Sequence, residues 1–414
     1  MRYAILLWCC VVCIGITFLP FIWENTHKQQ VTINQIEALP TESHSTITQQ
    51  EPLKQLSLIM GGDALLHTPV YLDAQKSEPI LEDSKKDSRQ TNKPKLTYDF
   101  SNMLALLTPI IHAHDLAFYN QESSLGGIEL GLSSYPTFNS PQEFGDSMLQ
   151  AGFNLISLAN NHTLDKGEKG VRASLQYWKK QSQDNPILTA GSYESFEDRN
   201  TPRILERNGI TYTLLAYTYG INGIPIPKGK EHLVNVYTKE MLRQDIASIR
   251  EKVDLLIVSM HWGIEYTFTP TQEQKEIATL LAELGVNIVI GNHPHVIQPI
   301  ESINDCLVIY SLGNMLSGQQ GLERKIGMLV SVHIVKNKAE NSHRESAFAK
   351  NITLQDIKVE LIYTYHDKKK RNFKIIPFSK LDEITLPKAN EIKNKYLKTI
   401  GLDRQTDITI GINH

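Results

Sequence analysis

Six times along this chain a short aliphatic run ends in residues that bind cations or move protons. The runs are "LSLIMGGDALLH", "DLAFYNQE", "FNLISLANNHTLDKG", "DLLIVSMHWGIEY", "VNIVIGNHPH" and "CLVIYSLGN". Between several of them lie amphipathic stretches such as "SPQEFGDSMLQAG", "GEKGVRASLQYWKKQ", "TKEMLRQDIASIREK" and "TQEQKEIATLLAELG". Short apolar strands alternating with helices of this length describe an α/β body around a largely buried sheet. The last of these helices is the clearest. Ile277, Leu280, Leu281 and Leu284 recur on one face, and Gly285 follows as a natural C-terminal stop.

In open α/β sheets ligands bind beyond the carboxyl ends of the strands. The polar residues that follow these runs are Asp63, His67, Asn120, Glu122, Asn160, Asn161, His162, Asp165, His261, Glu265, His293, His295 and Asn314. Each has an ordinary explanation when taken singly. An Asp after Gly-Gly suits a turn, Asn160-Asn161 suits a helix cap, and His261 beside Trp262 suits an aromatic cluster. Their repeated arrival at the same end of successive strands points instead to one shared rim and one site.

Composition narrows the chemistry. Only Cys306 lies outside the first 23 residues, so a thiolate metal cluster or a disulfide framework in the body is excluded. Carboxylate, amide and imidazole donors without sulfur suit Mn, Fe, Zn or Mg. One bridging carboxylate with imidazoles on either side suits one or two divalent ions, roughly 3.5–4 Å apart when there are two. No G-x-S-x-G elbow follows a strand, and neither G-x-x-x-x-G-K-[ST] nor G-x-G-x-x-G is present. The formal net charge of −3 gives no bulk attraction to nucleic acid, and an acidic ligand would need a local basic patch.

The N-terminal segment "YAILLWCCVVCIGITFLPFIW", Tyr3 to Trp23, has the length of a membrane-spanning helix, with Arg2 as its positive flank. It lacks the small residues of a signal-peptidase site. Residues 1–23 are therefore expected to be an uncleaved transmembrane anchor, with the body outside the cell membrane. Residues 24–54, rich in Gln, Thr, Ser and Asn, read as a flexible stalk. The body is expected over 55–335. The remainder, 336–414, reads as a polar loop, a β-hairpin in "IKVELIYTYHDKKKRNFKIIPF" and a short helix in "NEIKNKYLKTIG". The basic run Lys368 to Arg371 falls near the hairpin turn, where a solvated tip accounts for it.

In order, "GGD", "NQE", "LANNHTLDKG", "HWGIEY", "GNHPHVIQPIE" and "YSLGNM" resemble the CapA family of capsule-biosynthesis proteins, associated with poly-γ-glutamate synthesis. The resemblance covers roughly 55 to 335, and it implies a layered sandwich like that of the calcineurin-type metallophosphoesterases. It further implies metal ligation by Asp63, Glu122, Asn161, His162, His261, His293 and His295. Acid–base roles fall to His162, Asp165, His261 and Glu265, and substrate contact to Asn120, Asn160, Trp262 and Asn314. The pattern departs from those phosphoesterases in having Leu65 where D-x-H has its histidine, and Glu122 where they carry a bridging Asp.

The resulting expectation is a membrane-anchored, extracytoplasmic protein of poly-γ-glutamate synthesis or export with a hydrolase-like metal site, cleaving a phosphoester or a γ-glutamyl amide. Its partners would be the anionic cell-surface polymer and the membrane synthase subunits, with no nucleic acid. The competing expectation is a non-enzymatic accessory subunit that binds the same polymer for the synthase.

Overall fold

The computed structural model describes residues 54–77, 96–336, 352–401 and 410–412. The expected anchor over 1–23, and the stalk except for Lys54, lie outside the described residues. Among the described residues no helix is long and apolar enough to cross a membrane.

The fold is mixed α/β with several sheets. The larger sheet runs in the order β16 (Lys374–Pro377), β15 (Ile352–Tyr365), β14 (Ile326–Lys336), β1 (Gln55–Leu65), β4 (Leu116–Gln121), β5 (Leu155–Ser157) and β6 (Leu188–Ala190). Two further strands join it, β13 (Asn314–Ser317) on β1 and β17 (Ile410–Ile412) on β15. The second sheet runs β11 (Ile300–Ile303), β12 (Cys306–Ile309), β10 (Ile288–Asn292), β9 (Leu255–His261), β8 (Ile210–Thr218) and β7 (Leu205–Arg207). A small ribbon pairs β2 (Gln75–Ser77) with β3 (Leu96–Tyr98).

Alternation along β9 shows how the layers form. Leu255 and Ile257 join the same apolar cluster as Leu58 and Phe118 of the larger sheet, so this cluster fills the space between the sheets. Leu256, Val258 and Met260 point the other way and pack with the buried faces of helices Lys239–Ile249 and Gln272–Glu283. Side chains two apart share a face of a strand, and β9 is buried on both faces, which is why it reads as an unbroken aliphatic run.

The second of those helices follows the expected signals. Thr271 accepts from the Gln274 backbone N–H at 3.2 Å, and the Gln274 side chain answers to the Thr271 backbone N–H at 2.9 Å. Gly285, at φ +82°, ends it. The expected C-terminal hairpin is present as β15 paired antiparallel with β16, and the expected helix spans Ala389–Ile400.

Parallel pairing brings the polar strand ends together. Asp63 sits in register with Asn120 of β4 and with Asn314 of β13, and β1 shifts register on either side of this residue. In the other sheet His261 lies opposite Asn292 of β10 and Thr218 of β8. The single sheet edge expected from sequence is therefore two sheet edges that meet. Within the larger sheet, the segment entering β13 runs so close to β1 that a side chain at Gly62 is excluded: a Cβ there would lie 1.9 Å from the Gly313 carbonyl oxygen.

Candidate metal centre

Glu122, the residue after β4, is completely buried, and neither carboxylate oxygen has a hydrogen-bond donor. An unsolvated carboxylate of this kind costs several kcal/mol unless a cation neutralises it. Burial drives its pKa well above the carboxylate range, with Asp63 adding to the rise and His295 opposing it. Two imidazoles flank it. His261 Nε2 lies 3.5 Å and His295 Nε2 3.6 Å from Glu122 Oε1.

Two sets of donors converge here. Glu122, His261 and His293 form one, and Asp63, Glu122 and His295 the other; within each set the ligand atoms lie within 4.8 Å of one another. Glu122 belongs to both. All five residues are buried, and His293 Nδ1 lacks a hydrogen-bond partner as well. These buried His, Glu and Asp groups can hold a metal ion, and the unpartnered Glu122 oxygens are the feature that a cation would satisfy.

The histidine turn has an unusual backbone. His293 adopts φ +98° and His295 φ +57°, on either side of Pro294. Positive φ in residues with a Cβ is disfavoured and is kept where surrounding contacts enforce it. One such contact is the His293 N–H, which donates to Asp63 Oδ2 at 3.1 Å. Asn314 Oδ1 accepts from His295 Nδ1 at 2.9 Å, while the Asn314 amide donates to the Arg324 carbonyl at 2.8 Å and to Gln319 Oε1 at 2.9 Å. Asn120 Nδ2 donates to Asp63 Oδ1 at 2.8 Å and lies 3.3 Å from His261 Nδ1. Asn120 and Asn314 thus hold the donors rather than facing outward.

The electrostatics separate the three imidazoles. Burial, reinforced by His295, holds His293 down to about 3. Burial also pushes His261 far below its ordinary value, with His293 and His295 adding to the effect. For His295 burial acts downward too, but the charges of Glu122 and Asp63 outweigh it and lift the ring to about 9.

His162 and Asp165 form a second arrangement. His162 Nδ1 donates to Asp165 Oδ2 at 2.7 Å, and the same oxygen accepts from the Phe138 N–H at 2.6 Å. Neither residue belongs to the two donor sets. Asn161 is closer to them, with Oδ1 accepting from His261 Nε2 at 2.9 Å. Glu265 is exposed on the loop after β9, yet its charge still acts on Glu122 and His295.

Two residues expected to touch substrate are occupied elsewhere. Trp262 is fully buried on the opposite face of β9, stacked on Tyr310 and donating Nε1–H to its carbonyl at 3.0 Å. The Asn160 side chain holds its own turn, donating to Gln121 O at 2.9 Å and accepting from the His162 N–H at 3.0 Å. His67 also stands outside the donor sets. Burial lowers its pKa to about 4, and its Nδ1 lies 3.3 Å from the Gly318 N–H.

Sequence reasoning missed the aromatic rim. Tyr219, 42% exposed, lies against His293 with ring centroids 4.7 Å apart, and Tyr266, 43% exposed, lies 6.1 Å from His295. The Arg324 guanidinium sits 4.6 Å from the Tyr266 ring centroid. Asn222, at φ +51° on a loop beyond β8, accepts from the Asn161 amide at 3.2 Å, and its own Nδ2 lies 3.4 Å from His162 Nδ1. The tyrosines carry one available signal: Tyr219 directly follows strand β8, and Tyr266 lies five residues past His261.

A model of the family described as "Bacterial capsule synthesis protein PGA_cap" matches residues 57–319, a span that includes all five donors. The chain is 31% identical over 192 residues to "PGA biosynthesis protein CapA" of Bacillus subtilis (strain 168), covering 45% of this chain and 48% of that one. It is 29% identical over 201 residues to "Capsule biosynthesis protein CapA" of Bacillus anthracis, covering 47% and 48%. The matches span about half the length of these curated relatives. A hypothetical protein from Thermus thermophilus superposes with a TM-score of 0.41 at 14% identity, covering 73% of this chain and 98% of that one.

Proposed function

The chain belongs to the PGA_cap family of bacterial capsule synthesis proteins, and from that premise we propose that it acts in the synthesis or export of poly-γ-glutamate or a related anionic surface polymer. It does so as a hydrolase-like protein on a metallophosphoesterase-type framework, alongside the membrane synthase subunits. The apolar run Tyr3–Trp23 supports attachment to the cell membrane with the body outside. The observation that carries the reading is Glu122, a buried carboxylate without a donor shared by two sets of metal-type ligands.

Asp63, Glu122, His261, His293 and His295 would hold one or two divalent ions, with Mn, Fe, Zn and Mg suited to these donors. Such an ion supplies Lewis acidity toward a phosphoryl or acyl oxygen. The chain's own residues do the rest. Asn120 and Asn314 fix the orientation of Asp63 and His295. Asp165 holds a proton of His162 on Nδ1 and so orients the ring, leaving Nε2 as the atom that exchanges a proton with a departing oxygen or nitrogen. Tyr219 and Tyr266 wall the mouth beside the two histidines.

The test is metal content and turnover together. The full chain should bind Mn or Zn and cleave a phosphoester or a γ-glutamyl amide, and Asp63→Ala should lose both properties. His162→Ala should keep the metal and lose about 10²–10⁴ in rate. Metal and polymer binding without cleavage of either bond would instead establish the accessory-subunit reading.

A further inference from the structure

The basic run Lys368–Arg371 is an ordered feature of the site's own rim. β15 runs antiparallel to β14, which runs antiparallel to β1, so β15 and β1 point the same way. The turn after Tyr365 therefore emerges at the edge where Asp63 emerges. Asp367 builds the turn, with Oδ1 accepting from the N–H groups of Lys369 and Arg371 at 2.8 and 2.9 Å. Asp73 docks it, accepting from the N–H groups of Asn372 and Phe373 at 2.9 and 2.8 Å. Asp73 belongs to helix Thr68–Ala74, which begins five residues after Asp63.

The four cations of this turn are exposed, and among the described residues none of them forms a salt bridge. Both carboxylates that hold the turn bind its backbone or Asn372 and not its basic side chains. Lys325 adds to the patch, because the adjacent residue Ile326 pairs with Tyr363 of β15. Burial lowers the Lys325 pKa, and the charge of Lys370 lowers it further. Arg324, on the same short helix, reaches Tyr266 beside His295.

We propose that Lys368–Arg371, with Lys325, is a docking site for a linear polycarboxylate chain, holding the polymer at the mouth of the cation site. The inference rests on the polymer reading above and adds where the polymer is gripped. Three lysines to one arginine offer mobile point charges rather than planar forks, which suits carboxylates spaced along a flexible chain. The net charge of −3 gives the protein no general attraction for a polyanion, so the grip has to be local. The turn carries no exposed apolar side chain to insert between lipids, since Phe373 is buried.

Fluorescein-labelled poly-γ-glutamate is titrated with the full chain at low and physiological salt, and anisotropy is recorded. The variant Lys368→Gln/Lys369→Gln/Lys370→Asn/Arg371→Gln keeps every backbone hydrogen bond of the turn. It should bind at least roughly tenfold more weakly, with a flatter salt dependence. Metal content, measured in parallel, should be unchanged in this variant, whereas Glu122→Gln should lose metal and keep the salt-dependent grip on the polymer. Equal affinity of the turn variant and the parent, or no binding by the parent, overturns the proposal whatever the metal measurement returns. Capture of phosphatidylglycerol vesicles in place of the polymer, abolished by the same variant, overturns it as well.

Discussion

The His293 N–H donates to Asp63 Oδ2 across 230 residues of sequence, and this 3.1 Å contact ties the carboxyl end of one sheet to that of the other. Asp63 belongs to β1 of the larger sheet, and His293 follows β10 of the smaller. The cluster between them is part of what joins the two sheets at this edge, so a metal ion held there would be coupled to stability.

Glu122→Gln tests that coupling. The amide keeps the shape but cannot bridge two ligand sets as an anion. Metal affinity should fall by at least roughly tenfold. The parent should gain about 2.7 kcal/mol when free metal exceeds its Kd a hundredfold, and the variant should gain much less at the same metal concentration. Calorimetric titration and unfolding with and without metal measure both effects, and equal metal stabilisation of the two proteins would exclude Glu122 as a ligand.

Gly62→Ala addresses the geometry around Asp63. The added methyl would sit 1.9 Å from the Gly313 carbonyl oxygen, backbone against backbone, so one strand end has to move. A cost of about 1–3 kcal/mol is expected, together with weaker metal binding because Asp63 is the next residue. Urea unfolding and metal titration check these two consequences separately.

Asn314→Ala removes the acceptor that orients His295 and strands the Arg324 carbonyl. A loss of about 10–100-fold in metal affinity is expected, with a stability cost of about 1–3 kcal/mol. A direct substrate-contact role for Asn314 predicts a raised KM with unchanged metal binding, so the two measurements separate the roles.

Acid sensitivity should come partly from the far end of the sheets. Burial acts to raise the Asp254 pKa, but Lys336 Nζ at 2.6 Å and the Thr211 N–H and hydroxyl at 2.9 and 3.0 Å outweigh it and hold the carboxyl below its usual range. A folded-state pKa that is depressed gives stability that is complete above the unfolded value, about 3.9, and is lost as pH falls through the folded value. Asp254→Asn should therefore cost about 1–3 kcal/mol near pH 7, and the difference from the parent should shrink below about pH 4. A difference independent of pH would assign the effect to packing.

Much of this architecture was legible because strand ends and helix caps are local signals. The aliphatic runs ending at His261 and Asn292, and the Thr271–Gln274 box, are readable without tertiary knowledge. So was the gathering of Asp63, Glu122, His261, His293 and His295. Division into two sheets came only from the resemblance to layered-sandwich proteins and not from the runs themselves, because β4 and β9 have the same apolar character whether their neighbours lie beside them or across a core. The face of a strand end was hard to read as well. His261 and Trp262 are adjacent, and only the packing of helices Lys239–Ile249 and Gln272–Glu283 against one side of β9 sends the indole away from the donors. Tyr219, Tyr266 and Asn222 come from loops, whose positions depend on what they pack against. Asn120 and Asn314 were found as members of the site, but their partners are other side chains, which spacing in sequence does not reveal.

The order in which the donors occur has a consequence for biogenesis. Asp63 and Glu122 are synthesised early, His261 after more than half of the chain, and His293, His295 and the Asn314 that steadies them later still. A nascent polypeptide arrested before residue 291 carries three of the five donors and has no partner for Asp63 Oδ2. A cation that needs all five donors would therefore be bound only late in maturation, and a product ending before residue 291 would lack the complete set.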